Sequence, residues 1–250
     1  MRKHFILTAG CFISTFFMTA ASLPIAIPVA NKCIEAYKRG NYSSASSFLQ
    51  QLSPRDSCSA RSPTSESTLL HYASGRLRVN DVEELLNKYD GESKIEWKNK
   101  HGETPLYYAA RSYVEAMNDY GYNDKQYQGL SDIFEKILVK YPLLVNEKNN
   151  SGQTVLHMLV QCNVKHDIFS LLKKYHVDFN ICDNKQRTSL HHACYTKNKS
   201  FITFIKNNKD INFDIKAIDS KGKMAIEYAF PFSGEFLESC IWLREQESKL

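Results

Sequence analysis

Asp183-Asn184-Lys185-Gln186-Arg187-Thr188-Ser189-Leu190-His191-His192-Ala193-Cys194 carries the reading of the whole chain. An Asp or Asn starts a tight turn because its side chain bonds its own backbone a few residues on, and a Thr placed after such a turn caps the free amides of a helix. Leu190 then faces inward, and Ala193 is small where two helices cross. Apolar Ile202 and Ile205 follow at helical spacing, which predicts a second helix packed on the first.

The same arrangement recurs. Thr68-Leu69-Leu70-His71-Tyr72-Ala73, Thr104-Pro105-Leu106-Tyr107-Tyr108-Ala109, Thr154-Val155-Leu156-His157-Met158-Leu159 and Met224-Ala225-Ile226-Glu227-Tyr228-Ala229 align with Thr188 to Ala193, at steps of 36, 50, 34 and 36 residues. Turn sequences precede four of them: Asn99-Lys100-His101-Gly102, Asn149-Asn150-Ser151-Gly152, Asp183-Asn184-Lys185-Gln186 and Asp219-Ser220-Lys221-Gly222. Gly supplies a positive φ in such a turn, so Gln186 makes the third of these doubtful. Apolar positions of a second helix follow at Val82 with Leu85-Leu86, Ile133 with Ile137-Leu138, and Ile168 with Leu171-Leu172.

These segments resemble the ankyrin signature T-P-L-H-x-A, whose period is 33 residues. The resemblance covers roughly Ser67 to Trp242 and implies an all-α ankyrin-repeat helical solenoid, paired antiparallel helices with β-turn fingers. It also implies that the signature His bridges neighbouring repeats through hydrogen bonds; Tyr107 and Glu227 stand in place of that His in two of them. Each unit buries its apolar face only by stacking on the next. The expected organisation is a signal peptide over 1–21, an N-terminal helical hairpin and linker over 22–66 serving as a degenerate capping repeat, repeats over 67–243 with an insertion near 112–131, and a charged tail over 244–250.

Cys33 to Leu52 reads as a helix, a Gly-Asn turn and a second helix, and Ser53 to Ser67, rich in Ser with two Pro, reads as a loop. Phe236 to Leu243 would close the stack. The insertion contains Tyr113, Tyr120, Tyr122 and Tyr127. Two readings stay open there: a long contact loop, or a first helix that simply extends so that its tyrosines cover the neighbouring repeat.

Met1-Arg2-Lys3 precedes an apolar run from Phe5 to Ala21, ending in small residues before Leu23-Pro24. That is the form of an export signal cleaved after Ala21 or Ser22, which predicts an extracytoplasmic protein, secreted or periplasmic. An uncleaved anchor is the alternative, because apolar character continues to Ala30; Pro24 and Pro28 argue against one unbroken spanning helix. With 43% hydrophobic and 24% charged residues the composition is that of a folded globular chain. Its formal charge of +5 shrinks to 30 basic against 27 acidic side chains without Arg2 and Lys3, too small an excess to argue for nucleic acid.

No sequence feature points to an enzyme. Phosphate-cradling glycine loops, G-x-S-x-G, H-E-x-x-H and C-x-x-C are all missing, so neither a cofactor nor a metal is expected. His191, His192 and Cys194, with Cys182 nearby, form the one combination resembling metal ligands, but the repeat assigns them structural positions that need not converge. An oxidising destination permits a Cys33–Cys58 disulfide; Cys162, Cys182, Cys194 and Cys240 read as small buried side chains. Asn41, Asn149 and Asn198 each begin an N-x-S acceptor pattern, and the chain ends Ser248-Lys249-Leu250, read as a chance match.

The function expected is therefore protein–protein interaction. In the family, contacts come from the turn tips and from two positions after the paired small residues. Here those hold Lys100, His101, Glu103 and Arg111; Asn150, Ser151, Gln153 and Gln161; Asn184, Lys185, Arg187 and Tyr195; and Ser220, Lys221 and Lys223, with Tyr120 and Tyr122 added from the insertion. Six Lys or Arg against one Glu make this face basic and suit an acidic protein partner, with no nucleic acid, no membrane after signal cleavage and a monomeric state. A short signal ahead of a eukaryote-like repeat suggests a bacterial protein acting on a host. A periplasmic factor that protects or scaffolds another enzyme is the alternative.

Overall fold

The computed structural model describes residues 23–89, 97–120, 124–162, 164–229 and 240–242. The expected signal over 1–21, the tail over 244–250, Tyr122 and most of the closing helix lie outside the described residues. Helix α1 (Leu23–Lys38) and α2 (Tyr42–Gln51) make the expected hairpin, with Gly40 at a φ of +73° and Asn41 capping α2 through the Ser44 amide. Pro28 lies inside α1 without ending it. The stretch read as a loop also contains helix α3 (Pro54–Ser59): Ser53 caps it and Pro54 takes the first position, where its missing N–H costs nothing.

Four finger–helix–helix units follow, and a shortened fifth. Their helices are α4 (Leu69–Gly75) with α5 (Val79–Lys88), α6 (Pro105–Tyr120) with α7 (Asp124–Lys140), α8 (Val155–Leu159) with α9 (His166–Lys174), and α10 (Ser189–Tyr195) with α11 (Lys199–Asn207). A 3-10 turn, Pro142–Asn146, follows α7, and the fifth signature is reduced to a 3-10 turn, Ala225–Tyr228. Among the described residues there are isolated bridges, Arg61 with Thr68 and Ile218 with Met224, but no strand.

The inward positions were legible. Leu70, Leu106, Leu156, Leu190 and Ile226 are buried, as are the small residues Ala73, Ala109 and Ala193 at the crossings. One continuous core runs from Cys33 and Ile34 of α1 through every unit to Ala229 and Cys240. Second helices are also joined end to end by lysines: Lys88 Nζ donates to the Leu49 and Leu52 carbonyls, and Lys140 Nζ to the Leu86 carbonyl. A cation on the carbonyls at a helix C-terminus satisfies acceptors that no amide reaches and opposes the negative end of the helix dipole.

The second unit is longer because its helices are. α6 has 16 residues and α7 has 17, against 7 in α4 and 10 in α5. Tyr113 and Tyr127, from the stretch that raised the prospect of a contact loop, are buried edge to face with ring centroids 6.2 Å apart. The Tyr127 hydroxyl accepts the Ile168 amide of α9 at 3.1 Å. The extra turns of helix thus cover the next repeat.

Candidate protein-binding face

Four of the fingers are each built by one carboxylate or amide oxygen. Asn99 Oδ1 accepts from the His101 and Glu103 amides, Asn149 Oδ1 from Ser151 and Gln153, Asp183 Oδ1 from Lys185 and Arg187, and Asp219 Oδ1 from Lys221 and Lys223, all at 2.8–3.1 Å. Gly102, Gly152 and Gly222 take the left-handed conformation at φ +71° to +75°. Gln186 adopts it too, at +56°, and its amide makes the same 2.9 Å bond to the carbonyl at the head of the turn. The doubtful finger is therefore formed, at the steric cost that a β-carbon adds at positive φ.

Fingers are stitched to one another by backbone. The Asn150 amide donates to the His101 carbonyl, Asn184 to Ser151 and Ser220 to Lys185, at 2.9–3.0 Å. Asn150 and Asn184 add a second rung, each side-chain amide donating to the carbonyl of the residue at the matching place in the finger before, Lys100 or Asn150. These bonds hold the tips in register.

The signature histidines bridge the repeats as the resemblance implied. Nδ1 of His71, His157 and His191 accepts the backbone amide of Thr68, Thr154 and Thr188 at 3.1–3.2 Å. The proton must then sit on Nε2, which donates across to the Glu103, Arg187 and Lys223 carbonyls at 2.9–3.1 Å. Burial lowers all three imidazoles, His71 and His157 to about 4. Tyr107 does the same work by a different route, its hydroxyl donating to Gln153 Oε1 of the next finger at 3.0 Å. Glu227 has a different job and accepts the Met224 amide within its own turn.

Fold geometry sorts the sequence-predicted contact residues into two groups. Lys100, His101, Asn150, Ser151, Asn184, Lys185, Ser220, Lys221 and Lys223 are exposed along the tips. Tyr195, 66% exposed, stands on the first-helix side with its ring 6.1 Å from that of Tyr228. The second group is committed to the fold. Glu103 is buried and bound by Asn99 and by Arg111, which also lies over the Tyr108 ring at 4.7 Å. Gln153 receives Tyr107, and Gln161 bonds the His157 carbonyl.

Arg187 belongs to that second group as well. Its guanidinium grips the buried Asp183 at 2.7 and 3.0 Å, and His192 Nε2 meets the same Oδ2 at 3.0 Å. Burial alone would raise the Asp183 carboxyl, yet the bonds from Arg187, His192 and two amides hold it well below the usual carboxylate range. Of the six cations expected on the face, Arg111 and Arg187 are thus neutralised, and Lys100, Lys185, Lys221 and Lys223 remain. None of these four forms an ion pair among the described residues, and Lys223 lies over the Tyr228 ring at 5.6 Å. Tyr120 ends α6 and Tyr122 lies outside the described residues.

Sequence reasoning passed over Tyr228. Its hydroxyl donates to Asp219 at 2.5 Å and its ring supports both Tyr195 and Lys223. The signal was present, since Tyr228 occupies in the fifth signature the place of His192 in the fourth. His192 and His191 point away from a common centre, toward Asp183 and the Lys223 carbonyl respectively, and Cys194 is buried. Cys33 and Cys58 are not joined by a disulfide: Cys33 donates to the Ala45 carbonyl at 3.3 Å, and Cys58 lies beside Tyr89. Asn149 and Asn198, which begin acceptor patterns, are spent on the finger and on the Val160 and Cys162 carbonyls.

A stack of fingers and paired helices with an exposed polar row and a buried, hydrogen-bonded interior defines a repeat solenoid suited to holding another macromolecule. Residues 126–230 match the family model for ankyrin repeats, in three copies, and the fold is an all-α ankyrin-repeat solenoid. The matched residues are fewer than half of the chain, yet Thr68 with His71 and the finger at Asn99 carry the same local geometry upstream of them. Comparison with curated proteins gave no match. Ankyrin repeats are generally protein–protein interaction modules and typically non-enzymatic. No described helix is long and apolar enough to cross a membrane.

Proposed function

We propose that this chain is an exported, non-enzymatic binding module whose protein partner is acidic and lies across the fingertips and first helices. One observation carries the reading: Glu103, Asp183 and Asp219 are turned into the finger bases, while Lys100, Lys185, Lys221 and Lys223 stand outside them. The outward field of this face is therefore positive although the chain without its expected signal is nearly balanced, at 30 basic against 27 acidic side chains, which speeds encounter with an acidic surface and makes it salt-sensitive. Tyr195 offers a rigid aromatic contact within the same face.

Export rests on Arg2 and Lys3 ahead of the Phe5 to Ala21 run, and a mature chain should begin near Ser22 or Leu23. Action of a bacterial protein on a host follows from joining that signal to this repeat. A photo-reactive residue at Tyr195 should cross-link partner protein, and one at Asn80 on the second-helix side should not. Lys185→Glu, Lys221→Glu and Lys223→Glu together should abolish the low-salt cross-link and leave the melting transition within a few degrees. Equal cross-linking from Asn80, or an undiminished yield in the triple variant, would remove this face as the docking site.

A further inference from the structure

Among the junctions between neighbouring units, the one between the fourth and the fifth is built differently. In the fourth unit Arg187 and His192 close on Asp183: Arg187 Nε and Nη2 donate to Oδ2 at 3.0 and 2.7 Å, and His192 Nε2 reaches the same oxygen. Lys223 and Tyr228 hold the matching places beside Asp219 in the fifth unit. There the Tyr228 hydroxyl donates to Oδ2 at 2.5 Å, and the Lys223 ammonium stands over the Tyr228 ring at 5.6 Å. A guanidinium can fork onto a carboxylate that already accepts another bond, whereas lysine brings a single point charge. The exchange of His for Tyr and of Arg for Lys therefore satisfies the aspartate and leaves an exposed cation, which forms no ion pair among the described residues.

Beside that cation lies an aromatic surface. Tyr195, 66% exposed, sets its ring edge to face against Tyr228 at 6.1 Å, and the His191 ring lies 6.3 Å from Tyr228. Tyr228 is thus held by a hydrogen bond and two ring contacts, so it has little side-chain freedom left to lose on binding. The earlier units lack this combination. Gly75, Arg111 and Gln161 stand where the fourth unit has Tyr195, and Glu103, Gln153 and Arg187 stand where the fifth has Lys223. Arg187 is the one cation among the last three, and Asp183 neutralises it.

On the reading that this face docks an acidic protein, we propose that the junction of the fourth and fifth units is its anchor, taking a partner segment in which a carboxylate side chain neighbours an aromatic one. The carboxylate pairs with the Lys223 ammonium, and the aromatic ring packs on the exposed ring of Tyr195. Lys100, Lys185 and Lys221 add attraction without choosing the neighbouring side chain, because none of them forms a ring contact among the described residues. An acid with a ring beside it is therefore preferred over an acid alone.

The test uses the full chain and three fluorescent synthetic peptides of equal length, titrated by anisotropy at low salt. The first repeats Glu-Gly-Ser, the second differs only by a phenylalanine after its central glutamate, and the third carries lysine in place of every glutamate. The second should bind roughly five- to tenfold more tightly than the first, and both more tightly than the third. Tyr195→Ala should bring the second peptide down to the affinity of the first, and Tyr195→Gln, the residue that the third unit carries at this place, should do the same. Tyr195→Phe should keep the preference. Lys223→Met should weaken both acidic peptides and narrow the ratio between them, while Lys221→Met should weaken both and leave the ratio unchanged. A ratio near one in the parent, or a preference that survives the loss of the Tyr195 ring, overturns the anchor and leaves the basic face standing. Acidic peptides that bind no better than the lysine peptide would overturn the basic face itself, and the anchor with it.

Discussion

Gln186 shows how much one backbone position can cost and still be filled. The fingers at Gly102 and Gly152 leave no room for a side chain, because a β-carbon there would fall 2.4–2.5 Å from Oδ1 of Asn150 or Asn184. The finger after Gln186 presents Ser220 instead, a shorter side chain, and the positive φ is then the main remaining penalty. Gln186→Gly should raise stability by roughly 0.5–1 kcal/mol, the left-handed strain of about 1–2 kcal/mol less the extra freedom glycine gives the unfolded chain. Gly152→Ala should lower it by more than about 2 kcal/mol, since strain and collision add. Urea unfolding of both variants gives the answer, and a Gln186→Gly protein less stable than its parent would mean that the glutamine side chain contributes something the geometry does not show.

Among the elements, the second unit separates what sequence could and could not deliver. Periodicity placed Ile133, Ile137 and Leu138 on one buried face of α7 correctly, because apolar spacing records which side of a helix is covered. It could not decide between loop and helix for the residues before Ile133, since tyrosine suits an exposed contact and a buried one equally well. Nor was α3 visible in Ser53 to Ser67: six helical residues are too few for periodicity, although Ser53-Pro54 was a start signal in plain sight. On the face, the exposed tips were legible, whereas the loss of Glu103, Arg111 and Arg187 to finger bases depends on contacts between side chains that a linear pattern does not contain. Tyr127→Phe keeps the ring but strips the acceptor from the Ile168 amide, so it should cost about 1–3 kcal/mol in equilibrium unfolding. A loss of only a few tenths would show that α6 and α7 do not brace the third repeat through this bond.

For the molecule as a whole, the histidine column ties stability to acidity. Folded His71 and His157 take up a proton only near pH 4, and burial lowers His191 in the same direction, whereas unfolded histidines titrate near 6.5. Between those values the unfolded state binds more protons, so stability falls as the pH drops from about 6.5 toward 4 and is insensitive to these groups above that range. Each protonation also removes the Nδ1 acceptor from a threonine amide, and neighbouring repeats share the loss because every unit leans on the next. Urea midpoints at neutral pH and at pH 5 should differ clearly in favour of neutral pH; equal midpoints would mean that the imidazoles are not buried as neutral bridges.

The finger ladder has a consequence for what can be read along it. Backbone rungs from His101 to Asn150, Ser151 to Asn184 and Lys185 to Ser220 fix the pitch, so the tips behave as the graduations of a ruler. On that ruler the marks run lysine at Lys100, blank at Asn150 and Ser151, lysine at Lys185 and lysine at Lys221. An acidic ligand with charges repeated at every graduation would waste one on the blank, while one that skips a single interval would meet a cation at each of its own. Spacing, and not the sign of charge alone, is what such a surface can tell apart.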